Sequence, residues 1–328
     1  MADNYTNTLA GMLVLNDQNM ADIYPNQVID NAPVVQVATA IPASTGGTQH
    51  KYVKRTTAAT AGFRLINTGV ANTAEVFTDV TDNLKFLDGS FTRDVALADA
   101  YRKGLSAYME KETQAEIKTS MFAIETALFN FTAGGGGASF VGFPYMNDYA
   151  DTDVGQIVSA GGAGGKSVWI LRWAEDGVAI VAGNDGRVDM KWNDNSPTIV
   201  QVTDAGGTNV YSAYRVTLGM WIGLQVGSLY DVVRIANLDG TSDDLLTDDI
   251  IGEALSKFPA GHNPNMICMN RTARLELQQS RTATNPTGAP APFPMEAFGV
   301  PIVVTDALGS SEATVDASTT TTTTSSSV

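Results

Sequence analysis

The sequence predicts an α+β fold, mainly antiparallel sheet with a few helices. Three observations carry this prediction. Residues 94–131 hold no proline and a single glycine, a run of helical length. Five short segments between 167 and 236 are rich in β-branched and aromatic residues and are separated by Gly and Asp turns. Helical spacing then returns over 242–281.

Taken in order, residues 1–47 contain one modest amphipathic piece at 9–20, followed by turn signals at Pro25, Pro33 and Pro42. This reads as an arm that lies on something else. Over 48–87 the pattern becomes β-type, with Tyr52 and Val53, residues 63–66 and residues 76–80 separated by Thr, Ala, Gly and Asn. The segment has too few large apolar residues for a core of its own, so it predicts an extended hairpin with a wet surface. Lys51, Lys54, Arg55 and Arg64 gather there in one basic stretch, which suits an acidic surface on a neighbouring copy.

A continuous helix over 94–131 would run roughly 55 Å at 1.5 Å per residue, well past the three or four turns usual in a globular core. Leu97, Tyr101, Leu105 and Tyr108 form one apolar stripe, and Ile117, Met121, Ile124, Leu128 and Phe131 another. Residues 109–116 between them, with Glu110, Lys111 and Glu112, have almost no apolar face. Each end is therefore expected to pack, while the middle is solvated or meets a polar neighbour. Two ordinary helices broken near Glu112 are the alternative, although no residue there is a helix breaker. Asp94 can cap the start, and the four glycines at 134–137 must end any helix.

Downstream, residues 167–173 and 177–181 read as strands joined by a turn at 175–177, and 211–216, 221–226 and 231–236 supply more. Ser242 is expected to cap a helix carrying Leu246, Ile250, Ala254 and Phe258, stopped by Pro259 and Gly261. The apolar stretch 266–269, a second helix over 270–281, a proline-rich segment at 286–294 and a last strand at 300–304 follow. The Thr/Ser tract at 319–328 has nothing to bury.

Composition narrows the function. The chain has 328 residues, 44% of them hydrophobic, and a mean hydropathy of −0.03, as expected of a folded chain with a large core. With 35 acidic and 20 basic residues, its formal charge is −15. A field of that sign does not hold nucleic acid, yet it lets a protein sit beside DNA without sticking. Cys268 is the only cysteine, so no internal disulfide or thiolate metal site is possible. The N-terminus lacks the basic and apolar regions of a signal peptide, and no run of eighteen apolar residues exists. The expectation is a cytoplasmic product.

Motifs for chemistry are weak. Residues 160–167, Ala-Gly-Gly-Ala-Gly-Gly-Lys-Ser, fit a relaxed phosphate-binding loop. That loop needs a helix after it to aim N–H groups at phosphates, and the residues after Ser167 have a strand pattern. Asp239, Asp243, Asp244, Asp248 and Asp249 lack the spacing of a calcium loop and suit a helix start instead. His50, in a hairpin expected to be flexible, and His262 have no nucleophile motif beside them. Cys268, in an apolar stretch, reads as a buried inert thiol. No catalytic residue, cofactor or metal is expected.

The order of these pieces resembles the major capsid proteins of tailed bacteriophages with the HK97-type shell fold. The likeness rests on residues 167–178, 230–239, 269–272 and 298–302, together with the long helix. The resemblance implies an N-terminal arm at 1–47, an extended loop at 48–90, a spine helix at 91–133 and a Gly-rich connection at 134–166. It further implies a peripheral sheet at 167–236, an axial domain at 237–310 and a tail at 311–328. The implied function is a non-enzymatic subunit that self-assembles as hexamers and pentamers into an icosahedral shell around phage DNA. Lys51, Lys54, Arg55, Phe63, Arg64, Glu110, Lys111 and Glu112 would then be interface residues. Scaffolding, portal and cement proteins are the implied partners, with DNA adjacent but not specifically bound and no membrane involved. Assembly would take place in the bacterial host cytoplasm. An encapsulin-type compartment shell is the alternative, and a P-loop enzyme a weaker one.

Overall fold

The computed structural model describes residues 32–44, 47–71, 73–129, 138–146, 149, 155–183, 198–204, 206–241, 244–283, 285 and 289–315. The amphipathic piece at 9–20, the glycines at 134–137 and the tract at 319–328 lie outside the described residues.

The described residues begin with α1 (Pro33–Val37) and β1 (Ala40–Pro42), followed by the hairpin strands β2 (Gln49–Thr57) and β3 (Val76–Asn83). Strands β4 (Lys85–Asp88) and β5 (Phe91–Asp94) lead into α2 (Val95–Asp99) and α3 (Leu105–Leu128). Next come β6 (Ile157–Ser159), β7 (Lys166–Leu171), β8 (Val178–Ala182), β9 (Thr198–Thr203), β10 (Val210–Val216), β11 (Gly219–Val226) and β12 (Val232–Leu238). The last part holds α4 (Asp248–Ser256), β13 (Met266–Met269), α5 (Arg271–Ala283), β14 (Glu296–Ala297) and β15 (Val300–Val304).

The centre is a six-stranded sheet in the order β14-β15-β13-β7-β12-β6. Every residue of β7, β12 and β13 is buried, as in a sheet covered on both faces. The alternation of side chains sorts them into two cores. Val168, Ile170, Val233, Ile235, Ile267 and Met269 face α4 and α5, where Ile251, Ala254, Ala273 and Leu277 meet them. Trp169, Leu171, Val232, Met266 and Cys268 face the other way, onto Ile124, Leu128 and Phe129 at the end of α3 and onto Ile180, Ile222 and Leu224. The last three belong to a four-stranded sheet, β1-β8-β11-β4. A smaller core forms where α2 and the start of α3 pack Leu97, Ala98, Tyr108 and Met109 against Phe91 and Val216, beside the sheet β5-β10-β9.

Several expectations change. The unbroken helix over 94–131 does not form: α2 ends at Asp99, and α3 begins after Gly104, whose φ of 91° no L side chain favours. The break falls at the lone glycine and not near Glu112. The resulting α3, 24 residues long, spans roughly 36 Å. Asp94 does cap α2, accepting from the Ala96 N–H at 2.8 Å. The polar middle of α3 meets a polar neighbour, because Arg93 of β5 pairs with Glu112 at 2.7 Å and with Glu116 at 3.5 Å.

Segments 167–173 and 177–181 are not a hairpin. β7 pairs with β12 and β13, whereas β8 pairs with β1 and β11 in the other sheet. The chain is turned between them by the Gly177 N–H on the Ala174 carbonyl, 3.1 Å, with Arg172 bonded to both Asp176 and the buried Asp231. Helix α4 starts later than expected, with Thr247 as its cap; Ser242 lies outside the described residues. Residues 236 and 237 both lie in β12, and β7 and β12 hydrogen-bond into the same sheet as β13 and β15.

Candidate functional site

The hairpin is the feature that most lacks a core. β2 and β3 pair antiparallel from Gln49 opposite Asn83 to Thr57 opposite Val76, and every residue of β3 is exposed or half-buried. Its root is nonetheless held firmly. His50 is buried, accepting the Ser44 N–H on Nδ1 at 3.1 Å, which leaves Nε2–H to donate to Gln225 Oε1 at 2.6 Å. His50 therefore anchors the hairpin and does not sit in a flexible part of it. The Lys51 N–H donates to Ser44 Oγ at 2.7 Å, and the Leu84 N–H to the Thr48 carbonyl at 2.8 Å.

Beyond the strands the two arms stay together through Thr60 and Thr73, and the chain reverses at 65–68, where the Thr68 N–H meets the Leu65 carbonyl. Asn67 takes the left-handed conformation there, with φ 67°. This tip is apolar and bare: Phe63 is 108%, Leu65 78% and Ile66 91% exposed. Apolar tips in water are unfavourable by about 25 cal/mol per Å², so a partner that covers them gains that much.

Of the sequence-derived interface residues, Lys51 and Lys54 lie on β2, with Lys51 exposed, and Phe63 and Arg64 lie at the exposed tip. Arg55 is on β2, and its side chain lies outside the described residues. On α3, Glu110 is exposed, Lys111 sits over the Tyr101 ring at 5.7 Å, and Glu112 is taken up by Arg93. Glu112 thus serves the fold of its own chain. The hairpin set and the α3 set lie on separate elements: the hairpin packs at its root on β11, and the middle of α3 on β5.

Two features escaped the sequence reading. One is an open groove of about 500 Å³ lined by Lys85, Phe86 and Leu87 of β4, by Ile124 and Ala127 of α3, and by Phe140. The half-exposed side chain of Phe86 packs on Trp221, on the face of β4 opposite to Lys85 and Leu87. The sequence signal was the apolar spacing of α3, but nothing along the chain brings β4 and residue 140 beside it. The other is Glu125 on α3, completely buried. Its Oε2 accepts the N–H groups of Val34 at 2.8 Å and Val35 at 3.2 Å, and its Oε1 accepts the Thr305 hydroxyl. One carboxylate thereby ties together α1, α3 and the chain leaving β15. Burial pushes its pKa up, partly offset by these hydrogen bonds.

The weak motifs resolve into structure. After Gly165 the chain enters β7, not a helix; the N–H groups of Gly162 and Gly165 are spent on the carbonyls of Asn237 and Glu312; and Lys166 is buried against Glu276. No phosphate cradle remains, which overturns the P-loop reading. Asp248 holds Arg281 at 2.7 and 2.8 Å, Asp239 and Asp244 bond to Thr241, and Asp243 lies outside the described residues. Among the described residues no group of three or more His, Cys, Asp or Glu could hold a metal. The Cys268 thiol is buried and its pKa pushed well up by that burial. The buried groups instead fasten segments: Arg234 joins Glu312 at 3.2 Å, Ser167 Oγ and the Tyr149 carbonyl.

A family model described as major capsid protein GP7 matches residues 17–316. The chain belongs to that family. No curated protein matches it. Among solved structures it is similar to that of bacteriophage Epsilon15, with a TM-score of 0.65 and 19% identity, covering 96% of this chain and 99% of that one. It is also similar to the capsid of bacteriophage JBD30, with a TM-score of 0.53 and 10% identity over 90% of this chain and 97% of that one. The fold of this major capsid protein is the α+β HK97-type fold of phage capsids. It is a structural, shell-forming virion protein and not an enzyme, and the encapsulin alternative is the weaker one.

Proposed function

We propose that this capsid protein closes an icosahedral shell as hexamers and pentamers, with the hairpin of each copy lying across the next. The single observation that carries this reading is the hairpin itself, which is anchored at its root by His50 yet presents Phe63, Leu65 and Ile66 uncovered at its tip. Such a projection gains its stabilisation only from a neighbour. Its basic residues, including Lys51, Lys54, Arg55 and Arg64, face a partner whose formal charge is −15, so attraction guides the approach. Glu110 and Lys111 on α3 are the proposed polar contacts on the receiving side.

In this reading residues 48–90 are the extended loop and α3 the spine. The peripheral part is the sheet β1-β8-β11-β4 with β5-β10-β9, and the axial unit is the six-stranded sheet with α4 and α5. Residues 1–47 act as an arm, and 311–328 as a tail. Scaffolding, portal and cement proteins are the partners of assembly, which takes place in the bacterial host cytoplasm with packaged DNA adjacent to the acidic wall. Electron microscopy with sedimentation tests this on the full chain and on a chain lacking residues 60–73. Closed shells or discrete hexamers and pentamers from the first, and neither from the second, are expected. Shells from the shortened chain would refute the role of the hairpin.

A further inference from the structure

We propose that the outer edge of β9 pairs antiparallel with β9 of a second copy of this chain about a two-fold axis, so that β5-β10-β9 of both copies form one continuous sheet. Among the described residues β9 hydrogen-bonds to β10 alone, and its other side is an open edge. The strand itself carries this contact; that the contact links rings of subunits rests on the function proposed above.

Open edges invite pairing, and proteins blunt them with short strands, charge or proline. Here β1, β4, β5, β6 and β14 have four residues or fewer, while β2 and β3 carry Lys51, Lys54, Arg55, Asp79 and Asp82. In contrast β9, Thr-Ile-Val-Gln-Val-Thr, has six residues with no charge and no proline. Ile199, Gln201 and Thr203 on it are exposed. A β-prone, uncharged segment of this kind is an aggregation hazard unless something covers it. Charge makes a second copy a suitable cover. The chain has a formal charge of −15, so copies repel as wholes, yet contact through β9 sets no like charges opposite each other.

The backbone fits such an axis. The Asp204 N–H donates to the Asn209 carbonyl at 2.8 Å, and the register runs unbroken from Thr203 opposite Val210 to Thr198 opposite Arg215. Because antiparallel ladders alternate, Val200 and Val202 turn their N–H and C=O groups to β10, whereas Ile199, Gln201 and Thr203 turn theirs outward. A two-fold axis through Gln201 sets Gln201 opposite itself and Ile199 opposite Thr203. Each outward residue then meets an outward residue and exchanges both hydrogen bonds with it. On the other face Val200 falls opposite Val202, an apolar pair at the closer, non-bonded spacing. An axis through Val200 would instead set Thr203 opposite Pro197, which has no N–H to give. The pairing of one patch with itself is isologous. It joins two copies and no more, whereas head-to-tail contacts close rings, so it supplies what rings need to be held to one another.

The test uses assembled particles of the full chain. Gln201→Cys places a thiol opposite its own counterpart, with Cα atoms about 5.5 Å apart in a bonded pair, inside the range that a disulfide spans. The natural thiol, Cys268, is buried and stays out of the reaction. Mild oxidation is expected to give reducible dimers and nothing larger. Ser212→Cys, opposite Gln201 on β10, lies about 14 Å from its counterpart across the intervening strands and is expected to stay monomeric. Shells of Gln201→Cys without dimers, products larger than dimers, or equal dimers from Ser212→Cys would overturn the proposal. If Gln201→Cys yields no shells, charge decides. Gln201→Lys and Gln201→Glu each set like charges opposite across the axis, so shell yield is expected to fall by about tenfold or more, with the urea midpoint of the free subunit unmoved, and to recover when the two chains are expressed together. Normal yield from Gln201→Lys alone, or no recovery in the mixture, overturns the contact. Rings without shells from Gln201→Lys, against neither from the chain lacking residues 60–73, separate this contact from the role of the hairpin. Shells from that shortened chain which still give the Gln201→Cys dimer would refute the hairpin role and leave the β9 contact standing.

Discussion

The central sheet and the hairpin are both β-structure, yet they are stabilised by different things. In β7 and β12 each side chain is buried, and alternate residues enter two cores at once. In β3 the exposure pattern is nearly continuous, and the hairpin is held by ladder hydrogen bonds and by the His50 anchor at one end. A lone two-stranded hairpin is marginal in water. The contrast teaches that the sheet carries its own core, whereas the hairpin has none and, in the function proposed above, is completed by assembly.

Substitutions can break that contrast, beginning with the largest effect. Trp169 is fully buried, with Phe129, Phe143 and Tyr149 around it at ring distances of 5.6 to 6.4 Å. Trp169→Ala should destabilise the free subunit by about 3–5 kcal/mol, read as a lower midpoint in urea. Arg234→Ala leaves the buried Glu312 carboxylate without its cation, and a loss of about 3–5 kcal/mol is expected. It should also loosen residues 312–315, which would show as faster amide exchange at Glu312 and Val315.

Glu125 predicts a smaller, pH-dependent effect. Its pKa is raised in the folded state by burial, so the native protein keeps that proton to higher pH than the unfolded chain. The native state then binds more protons between the ordinary value near 4.5 and the raised one, and this contribution to stability falls as pH rises through that window. Urea midpoints measured across it should decline for the natural protein, and Glu125→Gln should lack that component of the decline.

The smallest effect on stability belongs to the tip. Phe63→Ser with Ile66→Ser removes only exposed surface, so the midpoint of the free subunit should move by no more than about 0.5 kcal/mol, while sedimentation shows loss of shells. A large drop in midpoint would mean that the tip already packs within its own chain, and the contrast with the sheet would disappear.

Much of the local structure was legible along the chain. The apolar runs at 167–171, 232–236 and 266–269 announced buried strands, and Asp94 announced a cap. The single Gly104 is visible in the sequence, but a lone glycine costs a helix only about 1 kcal/mol and does not by itself mark a break; its positive φ accompanies the turn of α2 onto the core that α3 shares. Of the residues expected at an interface, Phe63 and Arg64 are exposed at the hairpin tip, as the lack of a core over 48–87 foretells. Glu112 pairs with Arg93, nineteen residues away along the chain, and only packing reveals that pair.

By itself the sequence determined the α+β class, the bare hairpin, the absence of a disulfide framework and the acidic surface, because these follow from local periodicity and composition. Tertiary structure decided which strands share a sheet, where the long helix breaks, and that Glu125 draws α1 and Thr305 onto α3. It also decided that β4, α3 and Phe140 enclose a groove. Such contacts join residues far apart along the chain, and the free energy that selects them is the burial of whole faces, which no local pattern encodes.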